Sequence, residues 1–366
     1  MLTAVYRKAR GVPLPAALLA VLWCAAAVAA DGSLSVGIWG TYQYLPGEDS
    51  STNSGGEFTG EALILYADGK APQGEGRWLY SAEMRFGSGS FTDTDNNSTG
   101  DQMALHKAWV GWRLDDAHTV RVGKSQVPFG WKTVNFWPGD MLLAGYGDQM
   151  DVGVKLSSTA TAFDYDLAYY LSDDWGGTST DTVDDNGHWG SSTTYRKVQT
   201  AVANIAWHLT PGHSVGLSLQ KGQLQDLSGP SERPSDGSHE AAVLYYKGQV
   251  GAYFFNASWI TNSRRLPRDY RRGAGLPDDI KNTRLAAELG YNAAPWSFYL
   301  DASSARPKTD GNNADTVTAY APGMRYDYGP GWVYVEYLWQ NGDIDRNGEV
   351  AEGNFDALYI SMDLYF

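Results

Sequence analysis

Charged side chains in this sequence recur at every second position. In RWLYSAEMRF, Arg77, Glu83 and Arg85 share a face with Ser81, against Trp78, Tyr80, Ala82, Met84 and Phe86. In TRLAAELGY, Arg284 and Glu288 oppose Leu285, Ala287, Leu289 and Tyr291; in FDYDLAYYL, Asp164 and Asp166 oppose Phe163, Tyr165, Leu167, Tyr169 and Leu171. Such spacing holds one row of charges toward water and one apolar row away from it. The chemistry this permits is electrostatic sorting of solutes rather than bond making. The six histidines, His106, His118, His188, His208, His213 and His239, sit in no HExxH, GxSxG or paired-carboxylate pattern, and each reads as structural. No Gly-rich phosphate loop occurs, and the acidic second and fourth long connections lack EF-hand spacing, so no cofactor or metal is expected.

Rows of this kind need elements with a period of two. The chain offers sixteen, near residues 33–44, 56–68, 76–87, 103–114, 117–126, 150–158, 162–172, 193–209, 212–224, 238–248, 250–262, 281–292, 295–303, 316–328, 331–341 and 355–366. Short connections such as Asp115-Asp116, Pro211-Gly212, Ala293-Ala294 and Gly329-Pro330 are hairpin turns. Between them run long ones, 45–55, 88–102, 127–149, 173–192, 225–237, 263–280, 304–315 and 342–354, rich in Gly, Ser, Asn, Asp and Pro. An even set of strands with this rhythm predicts an all-β fold, a transmembrane antiparallel β-barrel of 16 strands with short periplasmic turns and long extracellular loops. Closure is required because only a closed barrel pairs every backbone group of unaccompanied strands in lipid. A secreted β-sandwich or propeller alternates within its strands but lacks the long-short rhythm. Trp39, Tyr42, Tyr44, Trp109, Trp112, Tyr253, Trp259, Trp296, Trp332 and Trp339 fall near strand ends and read as outward girdles.

Composition agrees. Of 366 residues, 13% are aromatic and only 19% charged, an unusual balance for a soluble enzyme. Arg7, Lys8 and Arg10, an apolar stretch from Val12 to Trp23 and the small residues Ala27 to Ala30 make residues 1–30 a secretory signal peptide, leaving 31–366 as the barrel domain. The sole cysteine, Cys24, lies in the signal, so the exported domain carries no thiol. The formal charge is −14, which argues against nucleic acid as a partner.

The polar parity names the inner wall. Arg77, Arg85, Lys107, Arg113, Arg121, Lys155, Arg196 and Arg284 fall on it, as do Glu61, Glu83, Asp151, Asp164, Asp166, Glu288, Asp301 and Glu336. Basic residues gather on the third to sixth strands, so opposed charged walls would set ion preference; the plainer reading is that these charges pair with one another. Residues 127–149 hold Val127, Phe129, Trp131, Phe136, Trp137 and Leu142, too apolar for a solvated tip. This third loop is expected to fold into the lumen, bringing Lys132, Asp140 and Asp148 to a constriction, with Lys124 joining if Gly123 carries a bulge. Packing on a neighbouring subunit is the alternative.

The stretch VRVGKSQVPFG, Val120–Gly130, resembles the corresponding strand and loop of the phosphate-selective porin O/P family, and the sixteen-strand layout and final Phe366 resemble it over the whole domain. The resemblance implies a homotrimeric, water-filled diffusion channel in the outer membrane of a Gram-negative bacterium. In that family an arginine ladder lines the pore and lysines cluster in the constriction; only Lys124 and Lys132 match the cluster here. Small hydrophilic solutes are the expected cargo, anions such as phosphate being one possibility, and sugars or dicarboxylates another. A barrel hydrolase or adhesin is the rival class. LYISMDLYF, Leu358–Phe366, resembles the terminal signal read by the barrel-assembly machinery. Arg264, Arg265, Arg268, Arg271 and Arg272 in the sixth loop suit lipopolysaccharide phosphates, or are neutralised by Asp269, Asp278 and Asp279.

Overall fold

In the computed structural model the described residues are 31–46, 55–71, 76–90, 98–100, 102–130, 149–177, 194–229 and 233–366. The signal peptide expected over 1–30 lies outside them. Sixteen strands form one closed antiparallel barrel in which each pairs with its sequence neighbours and β1 closes on β16. They are β1 (Asp31–Tyr44), β2 (Glu57–Lys70), β3 (Trp78–Phe86), β4 (Met103–Arg113), β5 (His118–Gln126), β6 (Met150–Thr159), β7 (Phe163–Ser172) and β8 (Tyr195–Thr210). The second half comprises β9 (His213–Asp226), β10 (Gly237–Val250), β11 (Tyr253–Arg265), β12 (Asp279–Ala293), β13 (Trp296–Pro307), β14 (Val317–Asp327), β15 (Trp332–Ile344) and β16 (Val350–Tyr365). Among the described residues a short α-helix, α1 (Arg268–Ala274), lies in the sixth loop.

The alternation places side chains as expected along most strands. On β12, Leu285 and Leu289 are more than half exposed on the outer face, while Arg284 and Glu288 are fully buried on the inner. The barrel closes by registering Gly37 with Tyr365 through Tyr44 with Leu358. Phe366 extends this ladder, its N–H donating to Val36 O at 2.9 Å and its O accepting from Val36 N at 2.8 Å. Ile360, Met362 and Phe366 are exposed outside, while Ser361 and Asp363 are buried inside.

Three of the aromatics expected in the girdles face the lumen instead. The β3–β4 ladder shifts between Glu83 and Met84, which oppose Lys107 and Leu105, leaving His106 as the extra residue. A bulge of this kind exchanges the faces beyond it. Trp109, two residues beyond the inward Lys107, faces inward with it, paired with Ser81, and Trp112 faces out. Trp39 registers with the buried Ala62 and Trp332 packs edge-on to Tyr365, so both also face the lumen rather than a girdle. The same β1–β2 register puts Glu61 on the outer face, correcting its expected lumenal position.

Candidate functional site

The basic residues of β3 to β6 stand on one sector of the inner wall. Arg85 is bonded to Glu83 on its own strand at 2.7 Å, and Lys107 reaches the other Glu83 oxygen at 3.9 Å from β4. Arg121 on β5 donates to Ser157 Oγ at 2.8 Å. Lys155, its register partner on β6, donates to Gln126 O at 2.6 Å. Arg77 and Arg113 complete the series at the short-turn rim, where both are exposed and the Arg77 guanidinium binds Leu114 O. Because adjacent antiparallel strands carry these groups at different heights, the cations climb the wall from the rim toward the long loops.

Guanidiniums on this wall are held against rings. Arg85 lies over Trp39 and Arg121 over Trp109, each 5.1 Å from the ring centroid, and Arg325 lies 5.8 Å over Trp332. A cation over an indole face is attracted to its quadrupole, and the ring fixes where a flexible arginine points. Arg325 was not among the expected pore residues, nor was Lys247, 5.5 Å over the Tyr245 ring. The alternation around Arg325, outward at Met324 and Tyr326, was the available signal.

Other expected pore cations have been drawn into the scaffold. Lys124 is buried and bonded to Asp174 at 3.1 Å; Asp174 also accepts from Ser98 N and Oγ, so the pair joins two loops. Arg196 donates to Gln225 Oε1 and Gly176 O, and Arg284, buried, donates to Asn282 Oδ1 at 2.7 Å. Gly123 does adopt the positive φ of 123° expected of an irregular position, yet the ladder stays in register across it.

The opposite sector is acidic and covered. Glu288, Asp301 and Glu336 are each at most 2% exposed, and Glu288 registers with Asp301. Asn256 Nδ2 donates to Glu288 at 2.7 Å and the Tyr299 hydroxyl to Glu336. Asp164 and Asp166 face inward on β7, the former 3.2 Å from His208 and the latter accepting from Asn204. Between the sectors the wall is apolar: Ala168, Tyr170, Val202, Ala241, Val243, Tyr245, Ile260 and Ala286 form one buried cluster.

The start of the third loop lies on that cluster. Val127 and Phe129 are both 2% exposed within it, and Gly130 N donates to Ser218 Oγ of β9 at 3.0 Å. A chain leaving β5 can meet inward side chains of β7 to β12 only by turning into the barrel. Residues 131–148, with Lys132, Asp140 and Asp148, lie outside the described residues.

The sixth-loop arginines are largely neutralised. Arg265 pairs with Asp279 at 3.1 Å, Arg268 with Asp236 at 3.8 Å and Arg271 with Asp278 at 2.8 Å. Arg264 is buried, not exposed to a lipid headgroup. The histidines bond neighbours at scattered positions: His213 meets the Tyr246 hydroxyl, His239 meets Thr200, and His118 meets Asp115 at 2.8 Å. The His118 ring, with the Ala117 and His118 backbone N–H groups, holds the Asp115 carboxyl below the usual carboxylate range.

A closed sixteen-strand barrel with an apolar exterior and charged interior is an outer-membrane porin architecture. Residues 33–217 match the family described as phosphate-selective porin O and P, and the chain belongs to it. No curated protein matches the chain. Its fold is similar to OmpT of Vibrio cholerae in trimer form, with 12% identity and TM-score 0.64 over 92% of this chain and 100% of that one. It is similar also to an anion-selective porin from Comamonas acidovorans (12%, 0.61, 92% and 100%). The outer membrane channel DcaP of Acinetobacter baumannii is a third (13%, 0.59, 92% and 97%). The protein is thus an outer-membrane channel for small solutes.

Proposed function

We propose that the channel passes small hydrophilic solutes passively and favours anions, phosphate among them. One observation carries this reading: on the sector of β3 to β6 the charges left in reach of solute are basic, while on the facing sector Glu288, Asp301 and Glu336 are buried, and the partly exposed Asp164 and Asp166 of β7 are engaged by His208 and Asn204. Lys107 and Arg121 remain partly exposed on the wall, and Arg77 and Arg113 are exposed at the rim. A positive path lowers the energy of an anion and raises that of a cation, and the Trp109 face helps hold the Arg121 guanidinium on that path. Residues 127–149 narrow the lumen in this reading, with Lys132 at the constriction. Residues 1–30 act as a removed export signal, the final strand is read by the assembly machinery, lipopolysaccharide surrounds the extracellular rim, and three copies assemble.

The test is reversal potential across a planar bilayer under a salt gradient. Wild type is expected to reverse on the anion-selective side, and Arg121→Ala with Lys107→Ala to move it toward cation selectivity. An unchanged potential would refute the charged-wall assignment.

A further inference from the structure

We infer that the tip of the β15–β16 hairpin, Asp345–Glu349, is a second pore-narrowing element, strapped across the long-loop mouth independently of the third loop. The inference rests on the channel reading.

Its basis is sheet order. In a ring of sixteen, β16 and β8 are eight places apart and face each other across the opening. Yet the Tyr195 hydroxyl of β8 donates to Arg346 O at 2.9 Å and lies 3.3 Å from Asn347 Oδ1. Arg264 of β11 donates to the same carbonyl at 2.8 Å, and Asn282 of β12 donates to Gly348 O at 2.7 Å. Tyr270 of α1 adds a bond to Asn347 Oδ1 at 3.3 Å. A turn joining two neighbouring strands can reach all of these only by lying over the lumen.

The strap is rigid and seated. Asp345 Oδ1 accepts from Asn347 N and Glu349 N at 2.9 and 2.8 Å, and Gly348 takes a φ of 94° that closes the turn. At its base Thr309 donates to Glu349 Oε2 at 2.8 Å and Asn312 to Val350 O at 2.9 Å. Tyr195, Leu224, Leu266 and Ile280 form a buried apolar seat with Tyr270 and Leu276 against it. Apolar side chains at a pore mouth are stable only when something dry covers them. The strap therefore closes the mouth over β8 to β16, the sector that includes the buried acids, and directs solute along the cations of β3 to β6. It acts as a fixed size filter that also biases the path electrostatically.

The test replaces Asp345–Glu349 with Asn-Gly, which forms a two-residue hairpin turn too short to cross. Single-channel conductance and the swelling of liposomes in neutral sugars of increasing size are compared with wild type, in barrels shown to be folded by heat-modifiable mobility. We expect conductance to rise by about twofold and the size limit to increase, since a filter's conductance follows its open section. Should the shortened hairpin fail to fold, Tyr195→Phe with Asn282→Ala removes two tethers, and larger conductance is again expected. A conducting wild type with folded variants of equal conductance and size limit overturns the strap alone. A folded wild type that does not conduct overturns the channel reading and the strap with it.

Discussion

Trp109 and Arg121 show how single residues set the inner wall. The ring lies beneath a guanidinium that also donates to Ser157 Oγ, and the ring contact is worth about 0.5–2 kcal/mol. Trp109→Leu is expected to preserve the folded barrel and reduce anion-over-cation permeability by a factor of roughly 2–5, about 0.5–1 kcal/mol, read from reversal potential. Glu83 acts in the opposite sense, since one carboxylate answers both Arg85 and Lys107. Glu83→Gln leaves two cations uncompensated and should increase anion preference; a move toward cations would contradict this. Neither effect was legible from composition. Trp109 read as a girdle residue from its aromatic type and its place near a strand end, although it shares the parity of the inward Lys107 and registers with Ser81.

At the scale of the strand, the outer face is governed by solvent. Leu285 is more than half exposed on the exterior of β12 because lipid, not protein, is its neighbour. Leu285→Arg is expected to destabilise the folded barrel by about 2–4 kcal/mol if it sits near mid-bilayer, measured by denaturant unfolding in lipid vesicles. Leu285→Val should cost far less, and equal costs would place the residue outside the hydrocarbon. Phe366 belongs to the same logic: its backbone bonds to Val36 close the ring while its side chain faces outward. Its deletion should lower the yield of assembled barrel more than the conductance of each assembled channel.

For the whole molecule, net charge and permeability point in opposite directions. The chain is formally −14, yet its reachable inner surface is basic on one sector. Selectivity that arises from wall charges must weaken as salt screens them, over about 10 Å at 0.1 M but only about 3 Å at 1 M. Anion preference should therefore be greater at 0.1 M than at 1 M salt; independence from salt would assign it to a dry binding site instead.

Much of the fold is legible in the sequence. Period-two alternation over sixteen segments, with connections alternately short and long, determined strand number, closure and, along most strands, which residues meet lipid, because each follows from local geometry and the need to pair every backbone group. Tertiary structure alone decided which charges remain available. Lys124 and Arg196 have the same parity or spacing as pore cations, yet they are bonded to partners 50 and 29 residues away. The crossing of Asp345–Glu349 to β8 joins positions about 150 residues apart. No periodicity encodes such contacts; they depend on which walls a closed ring brings face to face.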